Sequence, residues 1–134
     1  MNTIAVLSIT WFGLVIGVSF LATPVKFRAQ SLSLPVALEV GHVTFHLFAK
    51  LEWALSVAVT AAAIVVGLGP EWVFVAAVLA IVIVQAAYLL PRLDRRVEAI
   101  IGGETLPRSH LHTVFAGLEG VKAVVLLLLG LSML

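Results

Sequence analysis

Between Trp72 and Leu90 no residue is charged, and Gln85 is the only strongly polar side chain. A second uncharged stretch runs from Thr3 to Ala22, and two further apolar runs contain only a few polar positions. Such segments leave the chain one way to fold. In hydrocarbon every backbone N–H and C=O must be satisfied internally, so each run has to be a helix. The whole composition agrees. Hydrophobic residues make up 62% of the 134 positions and charged residues 11%, with a mean hydropathy of +1.19. A soluble domain carries about 25% charged residues, so this chain lacks the polar surface to cover a water-facing fold. The expected class is all-α: an integral membrane four-helix bundle in one domain, residues 1–134, lying in a lipid bilayer.

Taken in order, the first span is expected from about Thr3 to Ala22. No Lys or Arg precedes it and no small-residue cleavage site follows, so it reads as a span rather than a cleaved signal peptide. Thr23 to Pro35 reads as a loop bracketed by Pro24 and Pro35. A long second helix starts at Pro35, with Pro in the favoured first turn, and continues to Leu68. Its early turns carry Glu39, His42 and His46 and belong in the headgroup region, to which Lys50 can snorkel. Gly67 to Glu71 is a turn. Trp72 opens the third span at the interface, and Pro91 ends or kinks it near Leu90. Arg92 to Ile101 places Leu93, Val97, Ile100 and Ile101 on one face with charges opposite, as in an interfacial helix. Gly102-Gly103 stops that helix, and the fourth span is expected from about Thr113 to Leu134.

Charge sets the expected orientation. Six of the eight Lys and Arg lie in two segments: Lys26 and Arg28, then Arg92, Arg95, Arg96 and Arg108. The positive-inside rule puts loops 23–35 and 91–112 in the cytoplasm and both termini outside, as in a bacterial inner membrane. The net charge of +1 gives no reason to expect a nucleic-acid partner. With no cysteine, disulfides, thiolate chemistry and Cys-ligated metal are excluded.

The halves repeat. Phe48-Ala49-Lys50-Leu51-Glu52 returns 67 positions later as Phe115-Ala116-Gly117-Leu118-Glu119, and Pro24 and Arg28 return as Pro91 and Arg95. Both halves are helix pairs of the same orientation, so 1–67 and 68–134 read as a parallel repeat about an axis along the membrane normal. The competing reading is that Pro and Arg simply close any span at an interface. Each copy puts a carboxylate in an apolar run, at about 2.5–3.5 kcal/mol per charge near a helix centre. Small residues share a face with each glutamate: Ala49, Ser56 and Ala63 around Glu52, Ala116, Ala123 and Gly130 around Glu119. The second and fourth helices are therefore expected to meet along these seams. Lys122, three residues after Glu119, can pair with it. The partner of Glu52 must come from another helix, or Glu52 must be protonated. Trp53, Ser56 and Thr60 are expected to line the same cleft.

The intramembrane Glu52 and Glu119, with Lys122 and Trp53, are the candidate ligand- or proton-binding residues. His42 with His46, and His110 with His112, are candidate ligands for a divalent transition metal or haem. No Glu-x-x-His pair of the di-iron type is present, and the two histidine groups do not superpose under the repeat. A nucleophilic enzyme is not expected, since there is no Gly-x-Ser-x-Gly elbow and no Gly-rich phosphate loop. The leading expectation is a small membrane protein that binds or passes a small ligand, metal cation or proton. The alternatives are a haem- or metal-binding redox protein, and an accessory subunit whose glutamates only join helices. Partners in the last case are copies of itself or a larger membrane complex.

Gly17-x-Ser19-Phe20 in the first span, Pro24-x-x-Phe27 after it, a second helix opening through Phe48, and Leu111-His112 entering the last span together resemble the transmembrane-protein-205-like domain. The resemblance covers most of the chain. It implies four membrane helices and an undefined role, and it assigns no catalytic residue.

Overall fold

In a computed structural model, residues 2–107 and 109–134 are described. Four helices are long and apolar enough to cross a membrane: α1 Thr3–Lys26, α2 Leu34–Val66, α3 Trp72–Ile101 and α4 Leu111–Ser132. Asn2 caps α1, its side chain accepting from the Ile4 N–H at 2.8 Å. Pro35 stands in the first turn of α2. Gly67 closes α2 in the left-handed conformation, φ 73°, where Gly67 and Leu68 both donate to the Ala63 carbonyl. Gly103, φ 94°, follows the end of α3.

Two expected boundaries move. Pro24 does not begin a loop, and Pro91 does not separate the third span from an interfacial helix. Both prolines lie inside continuous helices, α1 reaching Lys26 and α3 reaching Ile101. The backbone absorbs them through π-helical segments, Ile16–Ala22 before Pro24 and Gln85–Leu89 before Pro91. A proline ring clashes with the carbonyl four residues back and removes one donor; the wider π turn shifts that carbonyl aside. Polar side chains bind carbonyls in both segments. The Thr23 hydroxyl donates to the Val18 carbonyl at 2.8 Å, and the Arg92 guanidinium donates to the Tyr88 carbonyl at 3.1 Å. The two π segments end at Ala22 and Leu89, 67 positions apart like the prolines they precede.

The helices pack in cyclic order. The α1–α4 contact is the most extensive, and α3 packs on both α4 and α2 while α1 also packs on α2. The expected seam between α2 and α4 is not there: these two helices lie on a diagonal. They meet through side chains, including an edge-to-face contact of Phe45 and Phe115 with ring centroids 5.5 Å apart. The small residues of α4 serve a different neighbour. A Cβ on Gly130 would stand 2.7 Å from Ile9 Cγ1, so this glycine lets α1 approach α4. The core is built from Ile4, Trp11 and Val15 of α1 with Val59, Val75, Val78, Leu126 and Leu129. The outer faces carry exposed Leu47, Val57, Ile64, Val65, Val73 and Leu128, which suit lipid contact.

Replacing Gly130 by leucine should destabilise the α1–α4 pair by about 1–3 kcal/mol, the usual cost of overpacking. Gly13→Leu is the control, because a Cβ there meets nothing within 4 Å. Thermal unfolding in detergent checks the difference.

Candidate functional site

The polar residues of the apolar spans converge on one ammonium. Lys122 is fully buried, and its Nζ lies 2.5 Å from Glu52 Oε2 and 2.5 Å from Glu119 Oε1. The first contact crosses the bundle from α4 to α2, and the second is the expected pair three residues apart on α4. Lys122 also donates to Gln85 Oε1 on α3 at 2.8 Å. The ammonium thus has three acceptors for its three donors.

Each carboxylate has further partners. The Trp11 indole N–H of α1 donates to Glu52 Oε2 at 2.8 Å. Gln85 Nε2 donates to Glu119 Oε1 at 2.8 Å, and the Ser19 hydroxyl donates to Glu119 Oε2. Ser56 donates to the Glu52 carbonyl at 2.7 Å, one turn along its own helix. All four helices contribute to the network. Ser19 and Gln85, which grip the two oxygens of Glu119, both come from π-helical segments. The local departure from α-helix therefore shapes the site, as π segments often do. With Glu52, Glu119 and Lys122 all charged, the cluster holds one negative charge in excess.

A cleft of about 430 Å³ leads to Glu119 between α1 and α4. Ser19 and Glu119 line it together with Phe20, Pro24, Phe27 and His112. A smaller cavity of about 110 Å³ shares Thr23, Phe27, Phe45, His112 and Phe115 with it, and reaches His42 and Asp94.

The structure sorts the sequence candidates. Glu52, Glu119 and Lys122 come together. Trp53 does not join them: it is 43% exposed on the outer face of α2, and the indole at the site is that of Trp11. One helical step of about 100° separates Trp53 from Glu52, enough to turn it outward. Thr60 lines a small void with Trp11 and Ser56, one level below the glutamates. His42 and His46 share a face of α2 and both approach Asp94 of α3, with His42 Nδ1 3.1 Å from Oδ1 and His46 Nε2 2.7 Å from Oδ2. His110 precedes the first turn of α4 without a side-chain capping bond and is exposed, and the exposed His112 stands at the cleft. The four histidines thus do not form one centre. Arg108, part of the basic segment in the sequence, lies outside the described residues.

Trp11, Ser19, Gln85 and Asp94 were not singled out as site residues by the sequence. Signals existed for two. Gln85 is the sole strongly polar residue of its span, and an indole N–H inside hydrocarbon needs an acceptor.

The chain belongs to the family described as Domain of unknown function (DUF4149), which it matches over residues 6–99. No curated protein and no solved structure matches it.

Lys122→Met should leave two buried carboxylates without their cation and destabilise the bundle by about 3–5 kcal/mol. Adding Glu52→Gln and Glu119→Gln should recover most of that loss. Denaturation of the single and triple variants in detergent measures both effects.

Proposed function

We propose that this is a small membrane protein that takes up a proton or small cation at Glu119 and Glu52, with the cleft between α1 and α4 as its entry. The observation that carries the reading is the sharing of one buried ammonium by two carboxylates, one of which lines an open cleft. One uncompensated negative charge in a low-dielectric interior is costly, and a bound proton or cation offsets it. Glu119 is the loading group, because it lines that cleft together with Ser19, whose hydroxyl donates to its Oε2. Lys122 and Gln85 hold the carboxylate in place.

Positions on which the resemblance to the transmembrane-protein-205-like domain rests fall together at the cleft. Ser19, Phe20, Pro24, Phe27 and His112, all positions on which that resemblance rests, line it. The matching positions of the two π segments support duplicated halves, 1–67 and 68–134. The duplication accounts for the glutamates but not for the rest, since Lys122 corresponds to Leu55 and Trp11 to Val78. In this reading the cleft opens toward the end bearing Lys26, Arg28 and Arg92–Arg96. The positive-inside rule makes that end cytoplasmic and places both termini outside, in a bacterial inner membrane.

A second reading has its own support. The network is densely hydrogen-bonded and draws on all four helices, which suits a purely structural pin in an accessory subunit of a membrane complex.

Proteoliposomes separate the two. With an internal pH-sensitive dye and an imposed potential, the protein should admit protons faster than empty vesicles. Glu119→Gln, which keeps the shape and removes the charge, should abolish the flux while Lys50→Gln leaves it intact. If the wild-type protein passes neither protons nor zinc above the vesicle background, the transport reading is wrong. If Glu119→Gln only lowers the melting temperature, the structural pin stands.

A further inference from the structure

We infer that His42, His46 and Asp94 form a binding site for a divalent first-row transition metal at the end of the bundle nearest the basic residues. This site is separate from the Glu52–Lys122–Glu119 network and does not depend on its function.

The geometry begins with spacing. Residues 42 and 46 are one turn apart on α2, so their imidazoles lie on one helix face. Their ring centroids are 4.5 Å apart with the planes tilted by 45°, and each ring brings one nitrogen to the Asp94 carboxylate. The third group arrives from α3. Because that helix continues through Pro91, Asp94 is carried alongside α2 instead of turning away in a separate segment. The three donor atoms lie within 4.8 Å of one another. A tetrahedral ion with bonds of about 2.0–2.2 Å holds its ligands about 3.4 Å apart, so small rotamer shifts close the site.

The existing bonds do not use the full donor capacity. His46 and Asp94 make a well-formed hydrogen bond at 2.7 Å. His42 Nδ1 is enclosed and lies 3.1 Å from Asp94 Oδ1, yet it has no properly directed hydrogen-bond partner. A buried nitrogen without a partner is unfavourable, and a cation between the three groups supplies one. Two imidazoles and one carboxylate match zinc and similar borderline ions, and exclude a preference for soft thiolate-seeking metals. Three protein ligands leave a coordination position open. Here His42 and Asp94 border the cavity of about 110 Å³, which has room for a water or small ligand there. The Lys26 ammonium in that cavity lies 5.2 Å from the Phe27 ring centroid and 6.0 Å from that of Phe45, not in an ion pair with Asp94. His110 and His112, the other histidines considered from sequence, supply no ligand.

Zinc titration of the purified, chelator-stripped protein in detergent tests the site by calorimetry. Cobalt absorption adds the coordination geometry. The expected result is saturable binding of one zinc per chain and a rise in melting temperature. Removal of an outer-shell partner commonly weakens metal binding about 10- to 100-fold, so loss of a direct ligand in Asp94→Asn or His42→Gln should cost at least that. His110→Gln and Glu52→Gln should leave the affinity unchanged. The melting temperature of each metal-free variant shows that it is folded. No saturable zinc binding by the wild-type protein overturns the proposal, as does undiminished binding by the folded double variant Asp94→Asn, His42→Gln. In either case the His46–Asp94 contact is only a hydrogen bond between helices. Proton flux through Glu119 is read in a separate assay, so either result can fail without the other.

Discussion

The Lys122 ammonium is the point on which the bundle depends. An isolated cation in hydrocarbon is prohibitively costly, and each of its acceptors lies on a helix held by other contacts. Glu52 brings α2, Gln85 brings α3, and Glu119 shares α4 with the lysine itself. Through Glu52 the network also takes the Trp11 indole of α1. Apolar packing alone discriminates weakly between helix registers in lipid, where the surroundings are as apolar as the interface. A polar cluster that must be satisfied fixes register and rotation together.

The same cluster accounts for the asymmetry of a chain whose halves look duplicated. Glu52 and Glu119 stand 67 positions apart, and so do the ends of the π segments before Pro24 and Pro91. The groups that bind the glutamates are not equivalent. Leu55 stands 67 positions before Lys122, so a single lysine serves both carboxylates. Glu119 then receives Ser19 and Gln85, and Glu52 receives Trp11. The carboxylates consequently differ in surroundings: Glu119 lines the larger cleft and Glu52 a small void, although both are buried.

The two prolines connect backbone strain to chemistry. Each forces a widened turn, and each turn presents one polar side chain to Glu119. Beyond Pro91 the helix continues in a direction that brings Asp94 against His42 and His46. A straight α-helix without that turn would aim Asp94 differently, because the π segment changes the rotation of everything after it.

What the sequence determined by itself was set by solvent. Uncharged runs in a bilayer admit only helices, so four spans, their turns at Gly67 and Gly102-Gly103, and the placing of Glu52 and Glu119 inside them were all legible. The pair between Lys122 and Glu119 was legible too, because spacing on one helix fixes it. Neighbour relations were not. The small-residue faces of α2 and α4 suggested a direct seam, yet Gly130 admits Ile9 of α1 and the two helices lie diagonally. Trp53 adjoins Glu52 in sequence but faces outward, while Trp11, distant along the chain, reaches the carboxylate. Periodicity gives the face of a helix but not which helix it meets. That choice belongs to the tertiary structure, where all four helices must satisfy one buried ammonium at once.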